Sequence, residues 1–236
     1  MNSLEKIKKE LRLVSTPERA KANEWFFKTE KGEYGFGDKF LGVTVPQQRK
    51  IAKQFQNLTL VDIEKLLKSE FHEERLTALL ILVSKYKKGD DRMKEIFFEF
   101  YLLNINNVNN WDLVDSSAPH IVGDFLLDKK ITLLLLYAKS ENLWKKRIAI
   151  ISTLTFIVNG NAKTTYLIAD LLLEDHEDLI QKAVGWMLRE TGKRVSQEDL
   201  EKYLKPRYKK MGRTALRYAI EKFENKKRLK YLHGEI

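Results

Sequence analysis

The sequence predicts an all-α fold built from stacked helix pairs. Three observations lead there. Apolar residues recur at helical spacing along most of the 236 residues. Only 4 Pro and 11 Gly interrupt them, so long helices meet few breakers. No stretch alternates apolar and polar residues convincingly enough to read as a strand.

The elements follow in order. Leu4, Ile7, Leu11 and Val14 form the apolar stripe of a first helix. Thr16-Pro17-Glu18 is an N-cap followed by proline at the first helical position, opening a helix through Phe27. Gly32, Gly35, Gly37 and Gly42 mark residues 30–45 as a loop. Thr44-Val45-Pro46 restarts a helix, and Thr59 caps the next, which buries Ile63, Leu66 and Leu67. Further helices are expected over 71–88, 91–103, 117–127, 130–139, 142–158, 162–173, 177–191, 197–204 and 213–223. The stretch Ile148–Val158 is rich in β-branched residues, but its helical surroundings outvote that preference.

A local pattern repeats: a basic residue, a nearby alanine, then apolar residues. The alanines are Ala78, Ala149, Ala183 and Ala215, spaced 71, 34 and 32 residues apart. The first gap is about two periods, with the missing copy near Val114-Asp115. Small residues at a fixed site let neighbouring helices approach, and stacking then builds one continuous core. The expected architecture is therefore a curved α-solenoid of HEAT-like helix pairs, one domain over residues 1–236.

Composition narrows the function. Cysteine is absent, which removes disulfides, thiol nucleophiles and thiolate metal sites. No apolar run is long enough to span a membrane, and the N-terminus lacks the apolar core of an export signal. A cytoplasmic monomer is the expectation. The net charge is +10, and the whole excess lies between Lys182 and Lys230, with 16 basic and 6 acidic residues. A field so localised suits a polyanion. A solvated surface is the plainer alternative.

Standard catalytic motifs are missing. His72, His120, His176 and His233 show no helical ligand spacing, so no metal site is expected. Gly35-Phe36-Gly37 lacks the rest of a phosphate loop, and no nucleophile elbow exists. What remains is the placement of tryptophan and carboxylate. Trp111 and Asp115 stand four residues apart and share a helical face. They follow an Asn-rich run, Asn104–Asn110, that ends a helix, and Asp112 is placed to cap the next. Asp115 lies too deep for capping. It could instead pair with a neighbouring arginine such as Arg147. Trp144 precedes Arg147 by three residues and Trp186 precedes Arg189 by three. Indole and guanidinium on one face suit nucleic acid, although core wedges between repeats would show the same spacing.

These blocks together resemble the AlkD family of DNA-alkylation-repair glycosylases. The resemblance rests on Phe40-Leu41-Gly42-Val43 with Pro46 and Arg49; Trp111-Asp112 with Val114-Asp115-Ser116; Trp144, Arg147 and Ala149; and Gln181-Lys182-Ala183, Gly185-Trp186 and Leu188-Arg189-Glu190. The blocks run in family order over roughly residues 17–223. The resemblance implies excision of N3- and N7-alkylated purines from duplex DNA without a cofactor. It implies that Trp111, Trp186 and Asp115 touch the damaged nucleotide, and that Arg147 supports the backbone. Arg189, Lys182 and Arg213, all within the basic stretch, are further expected DNA contacts. Two departures stand out. Asn110 occupies a position where some members carry an aromatic residue, and Lys31–Asp38 looks like an addition to the loop. A non-catalytic repeat module for DNA structures or protein partners is the alternative reading.

Overall fold

A computed structural model describes residues 2–236. The described residues form helices throughout, and their only β-type feature is an isolated bridge between Lys39 and Phe71. The chain divides into two compact units, one ending at Ser117 and the other running from Ala118 to Ile236.

The N-terminal unit contains α1 (Ser3–Leu13), α2 (Pro17–Phe26), α3 (Val45–Gln54), α4 (Leu60–Leu67), α5 (His72–Lys88) and α6 (Asp91–Leu103), and it ends within α7 (Trp111–Ala118). Two of the caps expected from sequence are present. Thr16 Oγ1 accepts from the Arg19 amide at 3.3 Å and Thr59 Oγ1 from the Asp62 amide at 3.2 Å. Each satisfies an amide that the helix leaves without a partner. Helix α5 is the hub. It packs against α1, α3, α4 and α6 and buries Leu76, Ala78, Leu79, Ile81 and Leu82 almost completely.

The first turn of α5 is unusual, because His72, Glu73, Glu74 and Arg75 are all buried. Buried charge is costly unless it is paired. Glu74 is paired with Lys8 and Arg12, both at 3.0 Å, which fastens α1 to α5. Glu73 turns to the loop before α3. Its carboxylate accepts the backbone amides of Leu41, Gly42 and Val43 at 2.9, 2.9 and 3.2 Å. The positive end of the α5 dipole favours both carboxylates.

The C-terminal unit opens with a π-turn (Pro119–Gly123) and α8 (Asp124–Leu126). It continues with α9 (Thr132–Ala138), α10 (Leu143–Val158), α11 (Lys163–Leu171), α12 (Asp178–Arg194), α13 (Gln197–Leu204), α14 (Arg213–Ala219) and α15 (Asn225–His233). Helix α10 packs against α9, α11 and α12, and α12 packs in turn against α11, α13 and α14. The repeat alanines sit at these contacts: Ala149, Ala183 and Ala215 are all buried. Gly185 shows why small residues recur there. A Cβ on it would stand 2.5 Å from both the Ala215 carbonyl oxygen and the Tyr218 Cβ.

Three elements differ from expectation. The helix expected over 117–127 begins earlier, at Trp111, and passes through the π-turn at Pro119. Proline offers no amide to the α-helical ladder, which favours a local change of spacing. Asn110, not Asp112, caps α7, its Oδ1 accepting from the Trp111 amide at 2.8 Å. Helix α15 has no counterpart among the expected elements, because Tyr231 is its one buried residue and its apolar stripe is thin.

Candidate functional site

The loop between α2 and α3 builds one wall of the site. Gly42 has φ +85, and a Cβ there would stand 2.0 Å from the Thr16 carbonyl oxygen, so glycine is required. With Glu73 gripping residues 41–43 from below, the loop is held at both the backbone and the side-chain level. Lys39 adds backbone bonds to Glu70 and His72, at 3.3 and 2.8 Å.

His72 lies at the centre. Its Nδ1 is 3.2 Å from Asp38 Oδ2 and its Nε2 is 2.8 Å from Asp112 Oδ2. Arg75 donates to Asp38 Oδ1 at 2.7 Å, and Asn110 Nδ2 donates to Asp38 Oδ2 at 3.1 Å. Burial works against a charged imidazole, but Asp112 and then Asp38 outweigh it and push His72 from 6.5 up to about 9. Near neutral pH both ring nitrogens therefore donate. Burial would raise Asp38, but its bond to His72 and the Arg75 charge hold it below the usual carboxylate range. The two carboxylates address opposite edges of the ring, so they offer no common vertex for a metal ion. Among the described residues no cluster of metal-ligating side chains occurs.

Aromatic rings cover this charge. His72 contacts Phe27, at 4.8 Å, and Phe40, at 4.9 Å, and the two phenyl rings lie 5.1 Å apart, so the three rings form a triangle. Phe27 in turn stacks on Trp111 at 5.4 Å with the planes 18° apart, and Phe26 meets Trp111 edge-on at 5.9 Å. An imidazolium beside aromatic faces gains cation–π attraction. Above the stack opens a cleft of about 850 Å³, lined by Trp25, Phe26, Phe27, Thr44, Gln48, His72, Trp111, Asp112 and Ser116 among others. Trp25 is 83 % exposed and Phe26 55 %. A partly apolar cleft of this size with a perturbed ionisable group has the character of a binding site.

The expected site residues lie as follows. Trp111 and Asp115 are both half-buried on α7, one turn apart, within a helix whose first residue lines the cleft. Trp186 is half-buried on α12 in the C-terminal unit. On α10, Arg147 is buried, and its Nη1 donates to the Leu179 carbonyl at 2.6 Å, so it also ties α10 to the start of α12. Lys182 pairs with Asp178 at 2.6 Å, and Arg189 pairs with Glu221. Arg213 is exposed and donates to the Leu232 carbonyl at 2.5 Å. Lys193, Lys205, Lys210, Arg217, Lys226 and Lys230 are exposed and make no ion pair among the described residues. Sequence reasoning missed the Asp38–His72–Asp112 cluster. Its two visible traces were the added segment ending at Asp38 and the unusual Asn110, whose Nδ2 donates to the Asp38 carboxylate.

Comparison with known proteins gives a consistent picture. Residues 7–223 match the model of a family described as DNA alkylation repair enzyme. No curated protein matches the chain. A solved structure titled "Predicted DNA alkylation repair enzyme from Enterococcus faecalis" is similar in fold, with a TM-score of 0.70 at 20% identity. The similarity covers 89% of this chain and 97% of that one.

Proposed function

From the premise that this chain belongs to the DNA alkylation repair enzyme family, we propose that it is a monofunctional DNA glycosylase. Its substrates are N3- and N7-alkylated purines in duplex DNA, and its role is base-excision repair. The observation that carries this reading is Asp115 standing one turn from Trp111 on α7. A DNA-binding module has no need of a carboxylate beside its aromatic contact, where it would repel phosphate. A glycosylase does.

The chemistry asks little of the protein. An alkylated purine is already cationic, and it leaves with the electrons of the glycosidic bond as a neutral base. Positive charge then develops on the sugar. Asp115 stabilises that charge and orients water, which attacks C1′ and gives up its proton to the Asp115 carboxylate. Trp111 and Trp186 hold the cationic nucleotide through cation–π and CH–π contact. Arg147 holds a phosphate, and Lys182, Arg189 and Arg213 add backbone affinity. The charge on the lesion supplies the activation that a strong acid would otherwise provide.

The test is release of methylated adenine and guanine from alkylated duplex DNA by the purified protein. Release supports the reading. No release from several alkylated substrates, combined with tight binding of branched DNA, replaces it with a non-catalytic role.

A further inference from the structure

The geometry points to His72, bonded to Asp38 and Asp112, as a positioning residue that sets Trp111 against a bound nucleotide. The inference rests on the preceding reading that Trp111 touches the lesion. Three observations support it.

First, the bonds run without a gap from the loop to α7. Asp38 ends the added loop segment and bonds His72 on α5, and His72 bonds Asp112, the second residue of α7. Asn110 closes a second path, donating to Asp38 while accepting from the Trp111 amide. The backbone on both sides of Trp111 is therefore fixed to the same carboxylate–imidazole group.

Second, the ring of Trp111 is held by the same group. Phe27 is in contact with both His72 and Trp111. Moving the imidazole moves the surface on which the indole rests. The charged groups facing His72 are Asp38 from the loop, Asp112 from α7 and Arg75 from its own helix. Glu73, its neighbour in sequence, is spent on the loop backbone.

Third, the cluster exceeds what holding the loop requires. Glu73 and Gly42 already secure residues 41–43. One Asp112 oxygen, Oδ1, is buried without a hydrogen-bond partner. A buried acceptor left unbonded lowers stability, so stability alone does not explain the arrangement. Its consequence is a fixed first turn of α7, where Trp111 begins the helix.

The test uses the full-length protein with His72→Gln and Asp38→Asn. The indole N–H signals are read by NMR, with that of Trp111 assigned from Trp111→Phe. Base release is followed under single-turnover conditions across DNA concentrations. The expected result is a shifted Trp111 signal in both variants, with those of Trp144 and Trp186 unmoved. The saturating rate is expected to fall about tenfold or more while the half-saturating DNA concentration stays within about twofold, the pattern of a misplaced contact. A folded variant with an unmoved Trp111 signal or an unchanged rate overturns the proposal. Wild-type protein that releases no base overturns the glycosylase reading instead, and the indole signals then decide the positioning role alone. If His72→Gln does not fold, Asp38→Asn carries the same readouts. Loss of folding in both overturns the proposal, because the cluster would then be needed for folding itself.

Discussion

His72 Nε2 lies 2.8 Å from Asp112 Oδ2, and this contact ties the first turn of α5 to the first turn of α7. The contact depends on pH in a definite direction. Because the folded-state value of His72 is raised to about 9, its contribution is complete below the unfolded value and is lost as pH rises through the folded one. Asp38 behaves oppositely. Its value is lowered from 3.8, so its contribution is present above that pH and is lost as the medium becomes more acidic. Urea midpoints of wild type and His72→Gln should therefore differ most near about pH 6 and converge by about pH 10. A constant gap across that range would mean that His72 is not charged in the fold.

Asp115→Asn should lose most base release while still binding DNA. Removing one preorganised electrostatic group from a reacting centre typically costs about 10²–10³ in rate. Single-turnover release and a separate binding titration distinguish the two effects. Full activity in this variant would remove Asp115 from the mechanism.

Glu73→Ala should release the loop before α3. Three backbone amides would lose their acceptor at once, and a buried donor left unbonded costs about 1–3 kcal/mol. Hydrogen exchange at Leu41, Gly42 and Val43 should accelerate, and the urea midpoint should fall. Unchanged protection at these amides would show that the loop holds itself.

Gly185→Ala tests the stacking of α12 on α14. The added methyl group meets a backbone carbonyl, which cannot rotate away. Overpacking of this kind costs about 1–3 kcal/mol, and a lowered thermal midpoint is the expected outcome. A neutral result would mean that the two helices slide apart without penalty.

DNA binding should weaken steeply with salt, by a slope of about −0.9 per neutralised phosphate. Replacing Lys205 and Lys210 with glutamine should reduce that slope without changing which lesion is preferred. A flat salt dependence would argue against the basic C-terminal stretch as a backbone contact.

Much of the fold was legible because its signals are local. Thr16 and Thr59 cap the helices they precede. The repeat alanines are buried at helix contacts. The placement of Trp111 and Asp115 on one helix face needed only their spacing. The cluster beneath Trp111 was not legible. His72 meets partners 34 and 40 residues away in sequence, on a loop and a helix whose approach no local pattern encodes. Asp112 illustrates the limit. Its sequence position suits an N-cap, yet Asn110 takes that role and Asp112 bonds His72.

The sequence by itself determined the helices, the basic stretch and the family to which the chain belongs, because periodicity, charge and motif order are properties of the chain. The tertiary structure decided which of four histidines is buried against carboxylates, and that these are Asp38 and Asp112. It also joined two departures in sequence, Asp38 and Asn110, into a single bond. The physical reason is that buried ionic groups find partners by proximity in space, and proximity exists only after helices α5 and α7 and the loop have packed.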